Sequence, residues 1–280
     1  MTQFSAYMPV EIRFGPGTVS SLGEAASRLG RRAFLVTMKN LVEIGLVERA
    51  IDSLKKSNIE FVLFDKVKGE PKSSDIDSAK EVLRESGCDL VIGLGGGSCI
   101  DQAKALAICA RHPEPIWEYV NLSNRPPKPV SSKDVLPIIA IPTTAGTGSE
   151  VTPYAVVTNT ETIQKGTIKE PAIYARMALI DPELTVPLPP RITAATGVDA
   201  LAHAIESYFN VKNRTPYSDM VAVEAIRQII KWLPTAYQDG NNLEARTRVA
   251  WGATLGGISI SQAGTTVAHA MAQPLGARMG

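Results

Sequence analysis

Cysteine is scarce and odd in number: Cys88, Cys99 and Cys109 are the only three, and no two stand in a C-x-x-C spacing. That excludes a disulfide framework and a thiolate zinc site, and a reducing, cytoplasmic setting is expected. A dominant charge is missing as well. Twenty-nine Lys and Arg face 28 Asp and Glu, a net charge of +1, so no concentrated basic face is expected to capture nucleic acid or an anionic membrane. No uncharged apolar run approaches the ~18 residues of a membrane span, and the N-terminus lacks the basic-then-apolar order of a secretory signal. Small molecules are left as the expected partners. Histidine is as rare as cysteine, with three in 280 residues, which makes the placing of each one informative.

What is present is an ordinary globular composition, 44% apolar and 20% charged, and a length that suits two cores better than one. The first two-thirds alternate β-rich runs with amphipathic stretches. Arg32 to Thr37, Glu60 to Phe64, Asp89 to Leu94 and Leu136 to Ile141 read as buried strands. Val19 to Leu29, Gly45 to Ser57, Asp75 to Ser86 and Ser98 to Ala110 read as helices, with apolar residues three and four apart. Such alternation predicts a Rossmann-like α/β domain whose mostly parallel sheet is covered on both faces, with ligands at the carboxyl ends of the strands. At Val186 to Pro190 the texture changes, because Val-Pro-Leu-Pro-Pro continues neither a sheet nor a helix interior. The expected division is therefore an α/β domain over 1–186 and an all-helical one over 187–280. Its helices are placed at Gly197 to Asn210, Pro216 to Lys231, Leu243 to Ile260 and about Thr265 to Gly276. With only ~90 residues the second domain is small for an independent core, and it is expected to be incomplete.

Two loops carry the first chemical signal. Asp89 to Ser98 is a strand running into Gly93, Gly95, Gly96 and Gly97 and then a helix, an arrangement that lets backbone amides approach a pyrophosphate at a helix N-terminus. It is not the G-x-G-x-x-G fingerprint, and a plain Gly-rich turn is the competing reading. Ser98 suits a helix cap or a phosphate ligand. Asp101 joins these cofactor candidates, although with Lys104 it also reads as an exposed i, i+3 ion pair. The second loop, Pro142 to Glu150, concentrates Thr143, Thr144, Thr147 and Ser149 with glycines after another strand. Two such loops at the ends of two parallel strands favour dinucleotide binding.

The histidines carry the second signal. Asp199 and His203 are four apart in a helical stretch and so share one face, within reach of one divalent cation; His269 is the candidate third ligand. Read alone, the first two are more safely a surface i, i+4 pair, and the third is more often a hydrogen-bonded core residue than a ligand.

Taken together, Gly-Gly-Gly-Ser-Cys-Ile-Asp-Gln-Ala-Lys, Pro-Thr-Thr-Ala-Gly-Thr-Gly-Ser-Glu-Val-Thr, Asp-Pro-Glu-Leu, Gly-Val-Asp-Ala-Leu-Ala-His-Ala-Ile-Glu and His-Ala-Met-Ala-Gln-Pro-Leu-Gly-Ala resemble, in order, the iron-containing (group III) alcohol dehydrogenases. The resemblance implies hydride transfer between NAD(P)H and a small primary alcohol or its aldehyde, in a cleft between the two domains. It implies that Gly95, Gly96, Gly97 and Ser98 hold the pyrophosphate, that Thr143, Thr144, Thr147 and Lys165 line the rest of the cofactor, and that Asp199, His203 and His269 bind a divalent metal, Fe(II) first and Zn(II) as an alternative. A homo-oligomer is expected. The sequence departs from the family pattern in three ways. A Pro-His-Gly that would supply a fourth ligand is not reached before Gly280, Gln273 stands where another histidine is common, and Leu35 to Met38 lacks the acidic residue that would contact the adenosine ribose. The last departure implies that NADPH is tolerated. A related glycerol dehydrogenase or dehydroquinate-synthase-like enzyme, and a chain that binds nucleotide without turnover, stay open as alternatives.

Overall fold

The computed structural model describes residues 3–279. Six strands form one sheet: β1 (Glu11–Phe14), β2 (Arg32–Val36), β3 (Glu60–Phe64), β4 (Leu90–Gly95), β5 (Ile138–Pro142) and β8 (Met177–Ile180), in the order β1-β8-β5-β4-β2-β3 with every neighbouring pair parallel. Two more, β6 (Tyr154–Asn159) and β7 (Gln164–Lys169), pair as a separate antiparallel hairpin. The four strands read from the sequence lie within two residues of their expected ends. Those not foreseen lack the same signal: β1 is half-buried with Glu11 and Arg13 alternating, and β8 has only four residues.

Strand β2 shows why the sheet needs two covers. Phe34 and Val36 enter one apolar cluster while Ala33 and Leu35 enter the other, on the opposite face, as a pleat of period two requires. Helices α1 (Leu22–Ser27), α2 (Lys39–Glu43) and α3 (Glu48–Lys56) supply Leu22, Leu41 and Leu54 to the Leu35 side. Helices α4 (Ser73–Ser86) and α5 (Gly97–Cys109) supply Ile76, Leu83, Ile100 and Leu106 to the Phe34 side. From Cys99 to Cys109 every residue of α5 is buried, because the β6–β7 hairpin packs on its outer side.

Strand order sets where a ligand can enter. From β2 the chain goes outward to β3 and then crosses back to β4 on the other side, so the carboxyl ends of β2 and β4 flank a crevice at which the winding reverses. The Gly-rich turn after β4 opens into that crevice.

The helical part consists of α6 (Pro190–Phe209), α7 (Pro216–Gln238), α8 (Leu243–Ala263) and α9 (Val267–Met279). Helix α6 starts seven residues before its expected N-terminus, because Pro190 occupies the first turn, where its missing amide costs nothing. Helix α7 continues past Pro234 to Gln238, beyond the expected stop at Lys231. Its start is fixed by a capping box between Thr215 and Ser218. Small residues let α6, α7 and α8 pack closely: Ala200, Ala204, Ala222, Ala225, Ala250 and Ala253 are all buried. Among the described residues no helix is long and apolar enough to cross a membrane.

Candidate active site

Helix α5 begins directly at the Gly-rich turn. Gly96 is its N-cap and offers no side-chain acceptor, so the first amides of the helix stay free for an anion. Gly95 has φ +152, and a Cβ there would come within 2.4 Å of Cys99 Sγ. The second loop is drawn against the first: Thr143 N donates to Gly95 O at 2.9 Å, Gly96 faces Thr144, and a Cβ on Gly97 would lie 2.6 Å from Thr147 Cγ2. Gly95, Gly96, Gly97, Ser98, Thr143, Thr144 and Thr147 therefore share the ends of the adjacent strands β4 and β5.

Asp101 and Lys104 are not the exposed pair their spacing suggested. Lys104 is fully buried, and its ammonium donates to Ser149 O at 2.5 Å, Thr152 O at 2.8 Å and Tyr154 O at 2.8 Å. Burial outweighs the raising pull of Asp101 and Glu150 and leaves it lowered to about 8; three carbonyl acceptors suit the charged form. Asp101 Oδ1 accepts from Ser149 Oγ at 2.5 Å, and its Oδ2 from Val156 N at 2.9 Å. Both side chains thus clamp the second loop and β6 onto α5. Lys165, on β7, pairs with Glu70 beside Gly276 of α9, so it stands at the join between the hairpin and the last helix.

The second loop reaches the helical part on its other side. Gly148, at φ +62, approaches so near that a Cβ would stand 2.4 Å from Gly257 Cα of α8, and one on Gly146 would stand 2.7 Å from Thr196 Cβ of α6. Glu150 is buried against Thr254, whose hydroxyl reaches its Oε1 at 3.3 Å. One loop thereby touches α5, α6 and α8.

Asp199, His203 and His269 come together with ligand atoms within 4.8 Å of one another. The two imidazoles stack, centroids 4.5 Å apart and planes at 20°. Both Nε2 atoms face Asp199 Oδ1, at 3.9 Å from His203 and 3.5 Å from His269. Two ligands at ~2.1 Å from a tetrahedral cation stand about 3.4 Å apart, so the two sides that meet at Asp199 are close to what a divalent ion needs. The donors suit one: burial holds His203 below the usual imidazole range. Burial alone would raise Asp199, but the His269 hydrogen bond and both rings more than offset it and keep it below the usual carboxylate range. Hydrogen bonds from its ring to the carboxylates of Asp199 and Glu206 raise His269, so a cation there competes with a proton.

Sequence reasoning missed Glu206. It follows His203 by three residues on the same face of α6, and its carboxylate accepts from His269 Nδ1. The signal was the helical period itself, since Asp199, His203 and Glu206 are spaced i, i+4, i+7. Tyr154 Oη donates to Ile260 O at 3.2 Å, tying β6 to α8.

A Gly-rich crevice at the ends of parallel strands is thus joined by one loop to two histidines and a carboxylate carried on helices. Comparison with known proteins gives this arrangement a family. Residues 9–182 match the model of the iron-containing alcohol dehydrogenases, and 193–280 match the C-terminal model of the Fe-containing alcohol dehydrogenase family. A choline dehydrogenase of Bacillus subtilis (strain 168) is 40% identical over 278 residues, covering 99% of this chain and 68% of the relative. The solved archaeal halo-thermophilic Red Sea brine pool alcohol dehydrogenase superposes with a TM-score of 0.94 at 35% identity, over 99% of this chain and 70% of that one. A sulfoacetaldehyde reductase from Bifidobacterium kashiwanohense, solved in complex with NAD+, gives 0.89 at 34%, over 98% and 71%. The chain belongs to the iron-containing alcohol dehydrogenase family, and spans about two-thirds of the length of the relatives it matches. Membership places it among the alcohol oxidoreductases.

Proposed function

We propose that this chain interconverts a small primary alcohol and its aldehyde, using NAD or NADP and a divalent cation, Fe(II) first and Zn(II) as an alternative. The convergence of Asp199, His203 and His269 from two helices, with ligand atoms within 4.8 Å of one another, carries the reading. A nicotinamide held at the Gly-rich turn would supply hydride chemistry, and a cation held by Asp199, His203 and His269 would offset negative charge on the substrate oxygen. The chain's own residues supply the rest. The free amides of α5 and the hydroxyls of Thr143, Thr144 and Thr147 face the place where a pyrophosphate and its ribose would lie, and the closely packed seam between the second loop and α8 keeps the two halves at a fixed separation. Lys165 is the remaining cofactor candidate, since it lies on the hairpin that flanks the loop.

No histidine follows His269 one turn on, where Gln273 stands; an amide cannot exchange a proton near neutral pH, so no relay is routed through it. At the end of β2, Thr37, Met38 and Lys39 bring no carboxylate to the adenosine ribose, which supports acceptance of either coenzyme.

The test is oxidation of NADH and NADPH by a short aldehyde, under anaerobic conditions, with and without added Fe(II) or Zn(II). Turnover that rises with metal is expected. Tight nucleotide binding with no turnover under any metal would overturn the proposal in favour of a chain that binds the dinucleotide without reaction.

A further inference from the structure

Glu206 is the most heavily engaged carboxylate of the helical part, and nothing in the proposed reaction uses it directly. Its Oε1 accepts from three backbone amides at the start of α9, Thr266 N at 3.1 Å, Ala268 N at 2.8 Å and His269 N at 3.4 Å, and from Thr266 Oγ1 at 3.0 Å. Its Oε2 accepts from His269 Nδ1. The first set satisfies orphan amides of a helix N-terminus with a negative charge, where one is favoured. The second set bears on the ligand itself, because a neutral imidazole that donates from Nδ1 must present a lone pair at Nε2.

We infer that Glu206 is a positioning residue that fixes His269 as the Nδ1–H tautomer, leaves Nε2 free beside Asp199 and His203, and makes docking of α9 and readiness of the metal site one event. The inference rests on the reading of those three residues as a cation site. Outer partners of this kind orient a ligand and raise its basicity. Here the same carboxylate also holds the backbone that carries the ligand, so ring and helix are fixed from one atom group on α6. Position adds to the case: Asp199, His203 and Glu206 line one face of α6, and α9 is brought to that face by its own N-terminus.

The decisive variant is Glu206→Gln in the whole chain. Three amides require an acceptor, so the glutamine oxygen takes the Oε1 position and its NH2 faces His269 Nδ1. That ring must then accept at Nδ1 and carry its proton on Nε2, where the lone pair is needed. Co(II) and Zn(II) affinity, measured by competition with a chromophoric chelator, is expected to fall roughly 10–100-fold, with an altered Co(II) absorption spectrum. Hydrogen exchange at the Ala268 and His269 amides of the metal-free protein is expected to stay protected. Glu206→Ala should lose both the affinity and the protection. If Glu206 merely caps α9, Glu206→Gln will bind Co(II) with unchanged affinity and spectrum, and the inference is overturned. A parent chain that binds no Co(II) at all would overturn the cation-site reading itself, and this inference with it.

Discussion

At the carboxyl end of β4 the chain makes a binding surface out of backbone; on α6 and α9 it makes one out of side chains. The first is contiguous in sequence, depends on glycines at 95 to 97, and is closed by a loop whose Thr147 sits where a Cβ on Gly97 would go. The second is assembled from residues 199, 203 and 269 and holds its parts by hydrogen bonds between side chains. A backbone surface fails by intrusion, whereas a side-chain surface fails by loss of a donor or of the group that aims it. Between the two runs the loop from Thr143 to Thr152, clamped to α5 by Lys104 and Asp101 and pressed against α8 at Gly148.

The sharpest way to break the comparison is to release the clamp, which both halves share. Lys104→Met removes a buried ammonium and leaves three carbonyls and Asp101 without it; losing one partner of such a buried set costs ~3–5 kcal/mol. Denaturant unfolding should show a loss of that order, and nucleotide and metal affinity should fall together. Loss of one alone would mean the loop does not couple the halves. Next in size is Asp199→Ala. It removes a direct donor, so Co(II) affinity is expected to drop by about a hundredfold or more, beyond the usual cost of an outer partner, while titration with NADH changes little. The mirror experiment is Gly97→Ala. Its Cβ would meet Thr147 at 2.6 Å, and overpacking of this kind costs ~1–3 kcal/mol, read here as a roughly 5- to 150-fold weaker NADH Kd with Co(II) affinity preserved.

The same contrast explains how much could be read from the sequence. Strands β2, β4 and β5 were legible because burial on both faces gives continuous apolar runs, Leu90 to Leu94 above all, and helices α3 and α4 because their buried residues recur three and four apart. The Gly-rich turn was legible because everything it needs is local. Asp199 and His203 were visible as an i, i+4 pair, and His269 by its rarity, but their meeting depends on how α9 returns to α6, which no spacing encodes. Lys104 and Asp101 were misjudged as exposed for a related reason. Their helix is covered by the β6–β7 hairpin, a long-range packing event, and a charged pair three residues apart looks the same buried or solvated until its acceptors, the carbonyls of Ser149, Thr152 and Tyr154, are known. The early start of α6 was hidden by Pro189 and Pro190, which read as a break and in fact form an N-terminus.

The smallest expected effect tests the backbone half at its edge. Met38 is the N-cap of α2, makes no side-chain cap, and follows Thr37 at the end of β2; Lys39 beside it is exposed, 3.6 Å from Glu43. Met38→Asp therefore does two separable things. As an N-cap it satisfies amides of α2, which stabilises a helix by about 0.5–2 kcal/mol and would appear as a higher unfolding midpoint with either coenzyme absent. As a carboxylate near the adenosine ribose it repels a 2′-phosphate, and two unit charges ~4 Å apart in a water-like medium interact by about 1 kcal/mol. The ratio of NADPH to NADH affinity is then expected to fall about fivefold, by weakening of NADPH and not of NADH. Stabilisation without any change in that ratio would mean that the ribose does not lie at the end of β2, and that the coenzyme crosses the sheet elsewhere than at the reversal between β2 and β4.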